Sequence, residues 1–412
     1  MSRMAERDIM EAGSQVLRPG LAFFPLDDEL VVFSQAAQSL VGLNAAAALI
    51  VHELREGVPV AALADALASE MKIAAEESAG WISATLEALS VQGLLADGKT
   101  LTPQTPPPSA AAESHARRQE KMPALEAFEV KVQARYRLLG TYALIRYGHR
   151  AQMRMVDSVI GHLKSEEEAT PTLVIDIPGT LWNNGEQLAS SIYCDGKPEG
   201  QARQLSQLAP LVKSALWVRS VNAHDFLLDL HAGVVGKDGR CILLPAAAGS
   251  GKSSLTAALT HGGFGYYSDE VALVERGSFL VAPVPLSVCV KSTGWDLMSR
   301  YFPEIADLPT HRRDDGKVVR YVPPRASRVQ KDPALVSHIF FPLYQKDEPT
   351  RLEPLSRCNA LARLMDQCVA LRLHLDQDMV RELVRWIAGI DCYALTFSSL
   401  EEAVALVKGV VR

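Results

Sequence analysis

The chain opens on short apolar runs broken by turn residues and closes on a long alternation of strand-like and helix-like patterns. Leu21–Phe24 and Leu30–Phe33 are apolar runs separated by Pro25 and the acidic turn Asp27-Asp28-Glu29, which predicts a β-hairpin. Asn44 precedes an alanine-rich run to Arg55, and its side chain can accept from the unpaired amides of a first helical turn. Pro59 opens a second helical pattern through Met71. A third runs from about Ala75 to Gln92 and stops at Gly93, a residue suited to the position after a helix. A hairpin and three short helices within residues 14–101 read as a small winged-helix-like α+β domain.

Residues 102–121 change character. Their Pro, Ala, Ser and charged residues leave too little apolar surface to pack, which predicts a linker. Residues 122–412 then read as a large α/β domain. Leu173–Ile177, Phe226–Leu230, Gly233–Val235, Ile242–Leu244, Val271–Val274 and Ser337–Phe341 are strand candidates. Met153–Leu163, Ser253–His261, Cys358–Cys368 and Met379–Ala388 carry helical spacing. Strands alternating with helices predict a largely covered sheet.

Composition narrows the classes of function. A net charge of -6 over 412 residues gives no general attraction for nucleic acid or anionic membrane, and no basic stripe is visible. No run of apolar residues is long enough to span a bilayer, and the charged start lacks a signal peptide's apolar core. The six cysteines are dispersed, with no C-x-x-C pair, and read as small core residues of a cytoplasmic protein.

The strongest chemical signal follows Ile242-Leu243-Leu244. The stretch Ala246-Ala247-Ala248-Gly249-Ser250-Gly251-Lys252-Ser253-Ser254 meets the pattern G-x-x-x-x-G-K-[ST] everywhere but its first position, where Ala246 replaces glycine. Small residues let successive backbone amides curl around a phosphate, and the helix that follows offers its positive end. Gly249, Ser250, Gly251, Lys252, Ser253 and Ser254 are thus expected to bind the nucleotide. Lys252 would reach its β and γ oxygens, and the Ser253 hydroxyl would meet Mg²⁺. ATP and Mg²⁺ are the expected cofactors.

Two further features gain meaning beside that loop. Asp269-Glu270 enters a strand-like run, where carboxylates are unfavourable unless solvated or used. One could take a proton from an attacking hydroxyl while the other helps hold magnesium, and a plain turn is the alternative. His231, between two apolar runs, reads by itself as a core residue.

Read together, Leu230-His231-Ala232-Gly233-Val234-Val235, Ala246–Ser253 and Ser268-Asp269-Glu270 resemble the catalytic domain of HPr kinase/phosphorylase. That resemblance implies a P-loop kinase fold and phosphoryl transfer to a serine hydroxyl. Asp269 would be the general base, supported by His231 and Glu270. Lys252 would neutralise phosphate charge, and Ser253 with Glu270 would hold the metal. The chain departs from the family at Ala246 and Glu270, and Pro283–Trp295 has no match for its downstream metal-binding glutamate. The signature for reverse phosphorolysis is absent, so a kinase without that second activity is expected. In Asp314–Pro324, which looks like a segment of HPr-kinase-related proteins from biosynthetic clusters, Arg320 is a candidate anion contact and a plain hairpin is the alternative.

The N-terminal region resembles PqqD. The hairpin, Leu40-Val41-Gly42-Leu43-Asn44-Ala45-Ala46-Ala47 and Val91-Gln92-Gly93-Leu94-Leu95 carry the likeness, over most of residues 18–96. It implies capture of the leader of a ribosomally made precursor peptide, by strand addition in a groove between the hairpin and the helix starting near Ala75. An accessory domain holding a homo-oligomer together is the other reading. The combined expectation is an ATP-dependent kinase of a serine or threonine in a captured peptide. A nucleotide-gated delivery protein, and a kinase of free serine or another small alcohol, are the alternatives.

Overall fold

In the computed structural model, residues 17–96, 122–179, 182–183, 186–187, 190–367 and 375–411 are described. The linker expected at residues 102–121 lies outside them, as does Cys368. The protein is a mixed α/β chain with several sheets. It divides into two compact units, one drawn from Met1–Pro107 and Pro354–Cys392, the other from Pro108–Glu353 and Tyr393–Arg412. Among the described residues, no helix is long and apolar enough to cross a membrane. The five described cysteines are free thiols, four of them buried.

The first unit is built on the hairpin β1 (Leu21–Leu26) and β2 (Glu29–Ser34), extended antiparallel by β3 (Ser39–Leu43). Helices α1 (Ala45–Arg55), α2 (Val60–Met71) and α3 (Ala75–Val91) follow. Asn44 caps α1, its Oδ1 accepting from the Ala47 amide at 2.9 Å. One sheet face, with Phe23, Leu30, Val32 and Leu43, packs on Val51 of α1 and Leu89 of α3. The start of α3 packs elsewhere: Ile82 joins Leu63 and Leu67 of α2, and Ser78 Oγ donates to Ala64 O at 2.8 Å.

The opposite face is covered as well, which explains why Leu30–Phe33 is apolar without alternation. Val31 and Phe33 on that face are fully buried. Helices Arg357–Asp366 and Gln377–Ile387, distant in sequence, supply the cover. A Cβ on Gly42 would sit 3.2 Å from Cys358 O, and the Arg381 guanidinium lies over the Phe24 ring. Polar ties hold the same segment. Arg357 Nη1 donates to Asp27 Oδ2 at 2.8 Å, while the Gln38 amide donates to Leu375 O and accepts from Leu375 N.

The second unit contains a five-stranded sheet in the order β10 (Lys197–Ala202), β9 (Ser190–Cys194), β6 (Leu173–Ile177), β5 (Thr141–Tyr147), β4 (Val132–Leu138). β7 (Trp182–Asn183) and β8 (Glu186–Gln187) pair antiparallel. Helices α4 (Arg150–Ile160) and α5 (Leu205–Asn222) bury Val156, Val159, Leu208, Val212 and Leu216 in the core beside that sheet.

The larger sheet has nine strands. Its main order is β11 (Phe226–Leu230), β15 (Ala272–Glu275), β16 (Leu280–Ala282), β20 (Ala334–Tyr344), β13 (Arg240–Pro245), β12 (Ala232–Lys237), β14 (Gly265–Ser268). β21 (Arg351–Pro354) and β22 (Asp391–Phe397) join through β20. β13 and β20 run parallel, while β12 is antiparallel to both β13 and β14. The carboxyl ends of β13, β20 and β14 therefore open on one side. Helix α6 (Lys252–His261) leaves the end of β13 and buries Leu255 and Leu259 against the sheet and helix Leu400–Val410. A small sheet of β17 (Val288–Lys291), β19 (Val318–Val322) and β18 (His311–Arg312) completes the unit.

His311 in β18 is almost fully buried, its Nε2 3.3 Å from Ser158 Oγ and its ring edge-on to Tyr321. Burial pushes its pKa down to about 4. A depressed folded value means the unfolded chain takes up the proton first as pH falls below about 6.5. Stability present above that pH is lost progressively toward pH 4, by about 3 kcal/mol for the whole interval. His311→Gln cannot charge, so its stability should fall less over that window than the wild type's. Urea melts at pH 7 and pH 4.5 measure the difference; equal acid losses would remove His311 as the cause.

Candidate active site

The loop between β13 and α6 adopts the geometry its composition suggests. Gly249 and Gly251 have φ values of 97° and 85°, in the left-handed region that favours glycine. Ala246 does not share a positive φ, so alanine in place of the pattern's first glycine brings no strain of that kind. Gly251 caps α6 without a side-chain bond, leaving first-turn amides for an anion.

Lys252, the first residue of α6, is 6% exposed and donates from Nζ to Asp269 O at 2.9 Å. Burial holds its pKa below the ordinary lysine value, while Asp269 and Glu270 pull it back up. The close approach of α6 to β12 depends on Gly233. A Cβ there would lie 2.2 Å from Thr256 Oγ1 and 3.5 Å from Lys252 Cγ. Gly233→Ala should cost about 1–3 kcal/mol of stability through this overpacking. Chemical denaturation would measure it, and Thr256→Ser in the same chain should not relieve it, because serine keeps the clashing oxygen.

Asp269 and Glu270 sit in the turn after β14, where Ser268 Oγ accepts from the amides of Glu270 at 3.2 Å and Val271 at 3.1 Å. Asp269 is 6% exposed, and its Oδ1 is buried with no hydrogen-bond partner among the described residues. Burial pushes its pKa up to about 6; the Lys252 ammonium opposes this, Glu270 adds to it, and the Ser253 hydroxyl draws it down. Glu270 goes the other way. Burial raises it, but the nearly buried Lys213, ion-paired to Oε2, holds it below the ordinary value together with Lys252 and Arg313. His231, between β11 and β12, donates from Nδ1 to Glu270 O at 3.0 Å. Burial and then the Lys252 charge lower its pKa. A neutral ring bonded in this way keeps Nε2 as its free basic nitrogen.

One cleft joins these groups. His231, the phosphate loop, Lys252, Ser253, Ser254, Asp269 and Glu270 line about 1140 Å³, open solvent at its mouth included. Cys289 and Lys291 of β17, together with Arg313 and Lys317 beside the β18–β19 turn, also line it. Lys252, Lys291, Arg313 and Lys317 line the cleft with Asp269 and Glu270, and Arg313 and Lys317 are also paired to Asp315, at 3.5 and 2.8 Å. Arg320 does not line the cleft: its guanidinium stacks over Trp295 and Nη1 donates to Ile305 O at 2.9 Å.

Sequence reasoning missed Lys213, Lys291, Arg313 and Lys317. For Lys213 a faint signal exists, a lone cation among apolar residues of Leu205–Asn222, obscured by Pro210 within that helix. The basic residues around Asp314-Asp315-Gly316 look like an ordinary solvated turn.

Comparison with known proteins adds little to this picture. No family profile matches the chain, and no curated protein matches it. Among solved structures, the HPr(Ser) kinase/phosphatase from Coxiella burnetii is similar over 45% of this chain and 93% of that one, at 15% identity and a TM-score of 0.22. The chemistry of the cleft is therefore read from its own residues.

Those residues fit a magnesium nucleotide. Among the described residues, no group of three or more His, Cys, Asp or Glu side chains is arranged to hold a metal. Mg²⁺ usually takes one or two protein ligands and completes its shell with phosphate oxygens and water. The Ser253 hydroxyl suits that pattern, and the Asp269 carboxylate it hydrogen-bonds would lie beside the metal without ligating it. Glu270, expected beside Ser253 as a metal ligand, already gives Oε2 to Lys213.

Proposed function

We propose that this chain is an ATP-dependent phosphotransferase that moves the γ-phosphoryl group to a serine or threonine hydroxyl. The observation that carries this reading is the meeting of Lys252 and Asp269 in one cleft at the head of α6. Phosphates would lie on the amides of Gly249–Ser254, with Lys252 on the β and γ oxygens. Bound Mg²⁺ would neutralise charge on the same oxygens, held by Ser253. The acceptor oxygen bonds to the γ phosphorus as the bond to the β-bridging oxygen breaks. The hydroxyl proton passes to Asp269, and ADP leaves. A carboxyl group near pH 6 suits that task, being ionised at neutral pH yet more basic than an ordinary aspartate. Glu270 and His231 position the turn: Lys213 anchors the Glu270 side chain, and His231 fastens its carbonyl.

The acceptor we propose is a ribosomally made precursor peptide whose leader is held by residues 18–96. The three-stranded sheet supports this, because among the described residues neither β1 nor β3 pairs with a further strand. An added strand would satisfy such an edge. One observation favours a second acceptor. Lys291, beside Arg313 and Lys317 that already share Asp315, could hold the carboxylate of free serine or a related small alcohol.

Mass spectrometry of a precursor peptide from the neighbouring genes, incubated with Mg-ATP and the intact protein, tests the reading. One added phosphate, lost in Lys252→Ala, supports it. Phosphorylation of free L-serine but not peptide would move the acceptor to the second class, and no transfer to either would end the kinase reading. The intact chain matters. Removing residues 1–121 would strip helices Arg357–Asp366 and Gln377–Ile387 of the sheet they cover.

A further inference from the structure

We propose that the ring of Tyr344 is the platform on which the base of the bound nucleotide stacks. The phosphoryl donor is then a nucleoside triphosphate and not a bare polyphosphate; this rests on the phosphotransferase reading above.

The strand order locates the base. Ligands of open α/β sheets bind outside the carboxyl ends of parallel strands. β13 ends in the phosphate loop, and its parallel neighbour β20 ends at Tyr344. The two ends are joined, since Tyr344 N donates to Ser250 O at 3.0 Å. The acid pair follows β14, on the other side of β13 in the order β20-β13-β12-β14. A triphosphate with its γ end at Asp269 extends its nucleoside away from β14, toward β20.

The residues waiting there are of the right kind. Ile339, Phe340 and Phe341 of β20 are buried, but Leu343 and Tyr344 are 47% and 46% exposed. The platform is fixed before any ligand arrives. The Phe397 ring meets Tyr344 edge-on, with centroids 5.8 Å apart. Gln345 N donates to Phe397 O at 3.0 Å, and Ser398 Oγ donates to Glu348 O at 2.7 Å, pinning the following turn. The last loop glycine lies directly under this pair. A Cβ on Gly251 would be 2.7 Å from Phe397 Cζ and 3.2 Å from Tyr344 Cβ. A rigid aromatic face held against the phosphate loop gives stacking with little ordering cost. Because every base has a π face, Tyr344 confers a preference for nucleotide over polyphosphate without selecting the base.

Calorimetric titration of the intact protein with Mg-ATP and with Mg-tripolyphosphate separates the possibilities. Tyr344→Ala should weaken Mg-ATP about tenfold, roughly 1.4 kcal/mol, and leave tripolyphosphate unchanged. Tyr344→Phe should bind ATP within about twofold of wild type, because the ring is kept. Lys252→Ala should lose both ligands. Undiminished ATP binding by Tyr344→Ala, or equal loss of ATP and tripolyphosphate, would overturn the stacking role. If wild type binds neither ligand, the phosphotransferase reading falls first and takes this inference with it.

Discussion

Lys252→Ala should lower phosphoryl transfer by about a thousandfold or more, the scale on which fixed charges act in phosphoryl transfer. The effect has two sources. The ammonium is the phosphate loop's own cation, and it is already desolvated. A charge held in that state costs little reorganisation when phosphate arrives, so its contribution is larger than that of a solvated lysine. Lys291, Arg313 and Lys317 line the same cleft but are carried by the small sheet and its turn, and cannot take the place at the head of α6. Single-turnover kinetics with labelled ATP would measure the loss. A variant retaining more than about a tenth of wild-type transfer would show that the reaction does not use this loop.

The second large effect is expected at Asp269, and it runs in opposite directions for activity and stability. Asp269→Asn keeps the shape but cannot accept a proton, so transfer should fall by about 10²–10⁴-fold. The metal-free protein should become more stable. A folded-state pKa raised from 3.8 to about 6 means the folded chain holds this proton more tightly than the unfolded one. The resulting stabilisation is complete below about pH 3.8 and is lost as pH rises through about 6, leaving an ionised oxygen without a partner above that. Asparagine removes that burden. Its gain should approach about 3 kcal/mol at pH 8 and shrink toward zero near pH 4. Thermal melts in chelator at the two pH values read this directly. An asparagine variant that is inactive and also less stable at pH 8 would mean that the carboxylate is structural.

This opposition is what a functional residue should show. A buried carboxyl group beside a buried ammonium is a poor way to stabilise a fold, since each ion pays desolvation. The arrangement makes sense for a ligand that brings both positive and negative groups. A magnesium nucleotide would do so, with phosphate for Lys252 and a metal on Ser253 offsetting the Asp269 charge without binding it.

Much of the local structure was legible in the residues alone. The hairpin at Leu21–Phe33, the Asn44 cap, the helices opened by Pro59 and closed before Gly93, and the strand–loop–helix at Ile242–His261 rest on interactions within a few positions. Short-range chemistry of that kind is written in order along the chain. The phosphate loop is the clearest case, because its glycines, its lysine and its helix are consecutive. The spacing of Asp269-Glu270 and His231 permitted a site without establishing one, since either could have been a solvated turn or a core residue.

What only the tertiary structure decided is which distant residues share a surface. Lys213 reaches Glu270 from a helix 57 positions away. Arg313 and Lys317 enter the cleft from a turn that looks solvent-bound, while the nearby Arg320 turns aside to Trp295. Helices Arg357–Asp366 and Gln377–Ile387 belong with the N-terminal sheet, although their own patterns say only that one face of each is apolar. An amphipathic face records that a residue will be buried, and a charged side chain that it must be solvated or paired. Neither records the partner, because the partner is chosen by how sheets and helices from the whole chain pack.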